Sequence, residues 1–203
     1  MPTNLTLRTA YDALQMCVQN WPDQEGLVFP LANQRLSFGQ WLAQSHRLAN
    51  ALRQLGIRQG DTVALWAENR VEWAITQTAL AGLGAVLVPI NTHFRETDLS
   101  FVLNHSRAKA ILLSQRFRSG EYLEIIEIQR QSAADLKHVI CFDPVDRPHV
   151  LRYDHLINAA QDTFVPVVPT PRALGSVQYT SGTTGQPKGA ALSFEGMMLN
   201  AVT

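Results

Sequence analysis

The sequence predicts an α/β fold: a doubly wound, mostly parallel sheet with helices on both faces. Three observations predict it. Short segments that are apolar at every position recur along the chain, as strands covered on both faces must be. Segments with apolar residues at helical spacing alternate with them. Capping residues, glycines and prolines punctuate the joints. Successive strand–helix–strand units cross over right-handedly, which sets helices against both faces of one sheet.

The elements follow in order. Residues 7–20 carry a helical pattern and are expected to pack on the outside. Ser37 and Gln40 have capping-box spacing. Phe38, Trp41, Leu42, Leu48, Ala49, Leu52 and Leu55 then recur at helical spacing, and Gly56 stands where a helix closes in the left-handed conformation. Gly60 and Asp61 predict a turn, and Thr62–Trp66 a buried strand. Glu68 and Asn69 are expected to open a second helix running to about Leu83. Residues 86–88 form a strand that Pro89 ends. A helix over 96–104, a strand over 110–113, a helix over 122–131 and a strand over 138–142 complete the pattern. Prolines at 144, 148, 166, 169 and 171 mark a connecting segment with one short helical stretch, 153–160. Residues 177–179 read as a strand, 190–192 as an apolar exit, and Ser193 as the start of another helix. The expected division is an α/β subdomain over 1–142, a Pro-rich connector over 143–171, and a strand, loop and opening of a further subdomain over 172–203.

Composition excludes several classes. Lysine plus arginine equal aspartate plus glutamate at 17 each, so the formal charge is zero and the footprint of a nucleic-acid binder is missing. Cys17 and Cys141 are too few for a disulfide framework or a zinc site and are expected to be small core residues. The N-terminus has no secretory pattern, and the apolar run 79–90 is broken by Gly82, Gly84 and Pro89. A cytoplasmic protein without a transmembrane segment is therefore expected; oligomeric state is left open. The six histidines, at 46, 93, 105, 138, 149 and 155, show no metal spacing and are expected at the surface or as caps. Glu121, Glu124 and Glu127 suit a solvated helix face. Trp41, Trp66 and Trp73 sit on apolar faces and are expected as core anchors.

The chemistry is concentrated in one loop. Thr180, Ser181, Thr183 and Thr184 supply hydroxyls, and Lys188 supplies a compact positive charge suited to phosphate. Gly182, Gly185 and Gly189 let the backbone turn tightly so that successive amides converge on an anion. The spacing is neither that of the Walker loop, where lysine directly follows glycine, nor that of the dinucleotide fingerprint. Ser181 lacks the context of a hydrolase nucleophile.

The stretch QYTSGTTGQPKGA, residues 178–190, resembles the phosphate loop of the adenylate-forming enzymes, in the form used by acyl-CoA synthetases and fatty-acid–CoA ligases. The resemblance extends over roughly 35–192, including the Gly60-Asp61 turn, the Asn69 helix start and the Gly84–Pro89 segment. It implies the first subdomain of a large N-terminal domain. It also implies a ligase that uses ATP, Mg2+ and CoA and takes a carboxylic acid, fatty by resemblance, through acyl-AMP to a thioester. Thr180, Ser181, Gly182, Thr183, Thr184, Gly185 and Lys188 would hold the nucleotide phosphates. Family members continue for several hundred residues that hold adenine, ribose and magnesium and supply a catalytic lysine. The chain is thus expected to be an N-terminal fragment, inactive alone, with no catalytic residue or metal ligand assigned. The alternative is a non-catalytic α/β module or remnant that binds a nucleotide or partner weakly. One departure is Phe194, where many relatives carry histidine after Leu-Ser.

Overall fold

The computed structural model describes residues 8–94, 96–180 and 187–202. Helix α1 (Ala10–Asn20) is fixed by a reciprocal cap. The Thr9 hydroxyl accepts from the Asp12 amide at 3.2 Å, and the Asp12 carboxylate accepts from the Thr9 amide at 2.9 Å. The helix therefore starts later than its apolar pattern suggests; Leu7 lies outside the described residues. An antiparallel ribbon follows, β1 (Glu25–Phe29) and β2 (Gln34–Ser37), turning through Asn33 at φ 49°. Neither strand was expected. Both are half solvated and too mixed in composition to register as buried strands.

Helix α2 (Phe38–Gln54) carries the anticipated Ser37/Gln40 capping box. It closes in a Schellman motif, with Gly56 at φ +91° and the Ile57 amide donating to the Leu52 carbonyl at 3.0 Å. The alternating units are β3 (Thr62–Trp66), α3 (Val71–Leu83), β4 (Val86–Pro89), α4 (Glu96–Ser106), β5 (Ala110–Leu113), α5 (Tyr122–Gln129) and β6 (His138–Cys141). Helix α3 begins at Val71 rather than at Glu68, because Arg70 is extended at φ −151° and residues 68–70 turn at the strand end. The Pro-rich segment adds β7 (Val150–Arg152), which was not expected, and α6 (Tyr153–Ala159). Then come β8 (Leu174–Thr180), β9 (Lys188–Ser193) and α7 (Phe194–Val202), whose first turn is capped by the Ser193 hydroxyl accepting from Gly196 at 3.1 Å.

The main sheet has the order β7-β6-β5-β3-β4-β8-β9 and is parallel except for the β8–β9 pair. The doubly wound, mostly parallel architecture is the one the sequence predicts. Its strands alternate strictly between faces. Val63, Leu65, Leu87, Ala110, Leu112 and Ile140 face a core shared with α2, α3 and α6. Ala64, Trp66, Val88, Ile111, Leu113 and Val139 face a second core shared with α4 and α5. Tyr11, Ala81 and Phe194 form a smaller third cluster where α1 covers the outside. Strands β8 and β9, from the stretch expected to open a further subdomain, hydrogen bond into this same sheet.

Ile111 sits at the centre of the second core with no exposure. Ile111→Ala is expected to lower the unfolding free energy by about 2–5 kcal/mol. Urea unfolding followed by circular dichroism measures it; a change within about 0.5 kcal/mol, the range of surface substitutions, would contradict this packing.

Candidate functional site

Strand β8 runs parallel to β4, so its last residue, Thr180, lies at the carboxyl edge of the sheet. Strand β9 returns antiparallel, and Thr180 stands opposite Lys188 in register. The chain thus leaves the sheet at Thr180 and rejoins it at Lys188, at that same edge. Thr180 and Lys188 are both exposed. None of the ion pairs among the described residues involves Lys188. Two of the sequence-predicted site residues are thus brought together as the last pair of the β8–β9 ladder. Ser181, Gly182, Thr183, Thr184 and Gly185 lie outside the described residues.

Doubly wound sheets commonly bind ligands where the winding direction reverses, here beside β3. Two aromatic side chains of the second core pack beside it. Trp66 and Tyr122 stack with centroids 3.8 Å apart, Trp66 donates to the Asn91 carbonyl at 3.2 Å, and the Tyr122 hydroxyl donates to the Thr92 carbonyl at 2.8 Å. Next to it the edge is acidic. Arg70 lies 2.8 Å from Glu72, 3.2 Å from Asp143 and 3.6 Å from Glu68, three carboxylates around one guanidinium. Ser114 donates to Glu68 at 2.6 Å, and the Gln115 amide donates to Asp143 at 2.6 Å. Burial opposes the Arg70 charge, but the Glu72 hydrogen bond and the three carboxylates prevail and hold its pKa above the ordinary arginine value. This excess of carboxylates disfavours an anion there, whereas Lys188 at the β8 end forms no ion pair among the described residues.

The ladder between β4 and β8 is short, and Pro89 explains why. Val86 and Ile90 donate their amides toward β3, to Asp61 at 2.8 Å and Leu65 at 2.9 Å. By alternation, Leu87 and Pro89 face β8, and proline has no N–H to donate. Pairing is recorded only at Leu87–Ser176. The loop-bearing half of β8 is held instead by β9, which pairs with it through Thr180.

The sequence pattern of the family described as AMP-binding enzyme matches residues 14–203. The chain belongs to that family. A mouse protein described as a mitochondrial medium-chain acyl-CoA ligase is 29% identical over 220 residues, covering 98% of this chain and 36% of that protein. YngI of Bacillus subtilis is 30% identical over 207 residues, covering 93% of this chain and 38% of that protein. This AMP-binding chain thus spans little more than a third of the length of these curated relatives. Among solved structures, the anthranilate CoA ligase AuaEII in complex with anthranoyl-AMP superposes with a TM-score of 0.88 at 26% identity, covering 95% of this chain and 36% of that one. The N-terminal domain of FACL13 from Mycobacterium tuberculosis gives a TM-score of 0.80 at 28% identity, covering 92% and 44%.

The histidines were expected at the surface or as caps; His93, His105, His149 and His155 are exposed, His46 and His138 are half-buried, and three of the six also join elements. His46 contacts the Tyr11 hydroxyl at 2.8 Å and the Asp162 carbonyl at 2.6 Å. His138 contacts the Leu55 carbonyl at 2.9 Å, and His105 the Tyr179 hydroxyl at 2.7 Å. Periodicity carries no signal for such partners, since each is distant in sequence. Trp66 is a fully buried anchor, whereas Trp41 and Trp73 are partly buried against the first core. Glu124 and Glu127 pair with Arg147 across solvent. Phe194, 2% exposed, is an anchor of the third cluster.

Cys141 ends β6 beside the Arg70 cluster and is fully buried. Burial pushes its thiol up to about 11, against a weaker opposing hydrogen bond with the Asp143 backbone. Above the ordinary thiol pKa the unfolded chain releases this proton first, so the contribution to stability is lost as pH climbs toward 11. Iodoacetamide at neutral to mildly alkaline pH is expected to label the partly exposed Cys17 well before Cys141, and both after unfolding. Mass spectrometry reads the two sites, and equal native labelling would contradict the burial of Cys141.

Proposed function

We propose that this chain is the phosphate-binding part of an ATP-dependent acid–CoA ligase acting on a carboxylic acid of the fatty class. The observation that carries the reading is the Thr180–Lys188 pair that ends the β8–β9 ladder, in a chain of the AMP-binding family. The acyl-CoA ligase description of the mouse relative and the anthranoyl-AMP held by the superposable ligase support it.

In the proposed reaction a carboxylate oxygen attacks the α-phosphorus of ATP, and pyrophosphate leaves with the electrons of the broken P–O bond. The CoA sulfur then attacks the acyl carbon, and AMP leaves. The work of this chain falls in the first step. Lys188 would meet the negative charge of the β- and γ-phosphates, and the Thr180 hydroxyl would donate beside it. Ser181, Gly182, Thr183, Thr184 and Gly185 would contribute amides and hydroxyls to the same phosphates. Donors already in place when charge builds on departing pyrophosphate lower the barrier. Among the described residues no cluster of histidine, cysteine and carboxylate side chains could hold a metal ion, so magnesium is given no protein ligand in this reading.

The 203 residues alone are proposed to be inactive, since they span about a third of the relatives. No helix among the described residues is long and apolar enough to cross a membrane. The cytoplasm is the proposed compartment, and the mitochondrial description of the mouse relative makes a fluorescent fusion the direct check.

In the complete protein, Lys188→Ala is expected to slow acid-dependent ATP–pyrophosphate exchange by about ten- to a thousandfold, the loss of one charged transition-state donor. Lys188→Arg is expected to recover part of the rate. Unchanged exchange for Lys188→Ala at both saturating and limiting ATP would overturn the phosphate-binding role.

A further inference from the structure

With no ladder to β4 beyond Ser176, the end of β8 needs another support, and Tyr179 supplies one. Its side chain points into the second core and is 7% exposed. Its hydroxyl crosses to the last turn of α4, where it shares a hydrogen bond of 2.7 Å with His105 Nδ1. Phe101, one helical turn earlier, lies on the His105 ring with centroids 5.2 Å apart and planes 20° apart. It also meets Tyr179 edge-on at 6.4 Å. His105 is itself exposed, with Phe101 against one face of its ring and the tyrosine hydroxyl at Nδ1.

The same ring reaches the returning strand. Gly189 stands opposite Tyr179 in register, and a Cβ at Gly189 would lie 3.2 Å from the ring and 2.9 Å from Val177 Cγ1. A side chain there would push the ring or the strand aside. One tyrosine therefore ties helix α4, the end of β8 and the start of β9 together. The next residue in each strand, Thr180 after Tyr179 and Lys188 before Gly189, forms the adjoining pair of the ladder.

We propose that Tyr179 and His105 are positioning residues for the nucleotide: their hydrogen bond fixes the hairpin end so that Thr180 and Lys188 face the same phosphates. The proposal rests on the phosphate-binding reading given above. Neither residue touches substrate; they act through the hairpin. A displacement of about 1 Å at a reacting or binding group is enough to cost on the order of a hundredfold in rate. A histidine that merely satisfied a buried hydroxyl would contribute to stability and leave nucleotide affinity alone.

The test uses acid-dependent ATP–pyrophosphate exchange in the complete protein, with thermal unfolding measured in parallel. Tyr179→Phe and His105→Ala are each expected to raise the KM for ATP about tenfold while the KM for the carboxylic acid stays within about twofold. His105→Asn puts an amide oxygen near the place of Nδ1 and is expected to restore most of the ATP affinity. The double variant Tyr179→Phe/His105→Ala is expected to be no worse than either single one, because both remove one interaction. The proposal is overturned if the ATP KM is unchanged in both single variants while the unfolding midpoint falls. It is equally overturned if both KM values rise together and His105→Asn restores nothing. Lys188→Ala separates the two levels. If it slows exchange while Tyr179→Phe and His105→Ala leave the ATP KM alone, only the positioning role fails. If all three variants behave as the unsubstituted protein does, the phosphate-binding reading fails with it.

Discussion

The central strands are buried on both faces, and that constraint shapes everything else in the fold. Val63 to Trp66, Ala110 to Leu113 and Val139 to Cys141 leave no side chain in β3, β5 or β6 free to meet solvent beyond their first residues. Two helical layers must cover such a sheet, since either face left bare would expose a continuous apolar surface. Polar groups are then expelled to strand ends. The Arg70 cluster gathers at the ends of β3, β5 and β6, and the hydroxyl-rich hairpin opens at the end of β8. The two polar regions are kept apart by strand order, with Trp66 and Tyr122 packed beside the end of β3.

The parts of this fold legible in the sequence are the parts where burial is complete. β3, β5 and β6 show as apolar runs because both faces are covered, and α2 shows because Ser37, Gln40 and Gly56 mark its ends. The β1–β2 ribbon is hidden because its residues are half solvated and follow no clean alternation. β7 is three residues long, shorter than any periodic signal, and lies among prolines. The start of α3 is misplaced because Glu68 and Asn69 read as helix openers, while Arg70 is held extended at the strand end. At the candidate site, the composition of 180–188 is what suggests an anion loop, and the contact beside its start is not legible in that way. The Tyr179–His105 contact spans 74 residues and involves a histidine whose sequence neighbourhood is unremarkable in pattern.

Solved structures at 26–28% identity retain this architecture, with a TM-score of 0.88 for the anthranilate ligase. Tolerance of that order is expected when the requirement on most positions is only to be apolar, of suitable volume and on the correct face. The hairpin end is under a different kind of demand. Pro89 withdraws a hydrogen bond, Gly189 leaves room for a ring, and Tyr179 fills it, so three residue types answer to one local geometry.

Strand β9 closes the sheet on one side, and among the described residues nothing pairs with its outer edge. Residues 188–191 are exposed and small apart from Lys188, and their unused amides and carbonyls form a flat template that another strand could join. Lys188 is the one charge on that strand, and charge on an edge discourages self-pairing. The residue that fits the role of phosphate contact therefore also guards against fibril-like stacking of one molecule on the next. Replacing it with an uncharged side chain changes the colloidal behaviour of the protein as well as its chemistry, and solution aggregation has to be read alongside activity in any such variant.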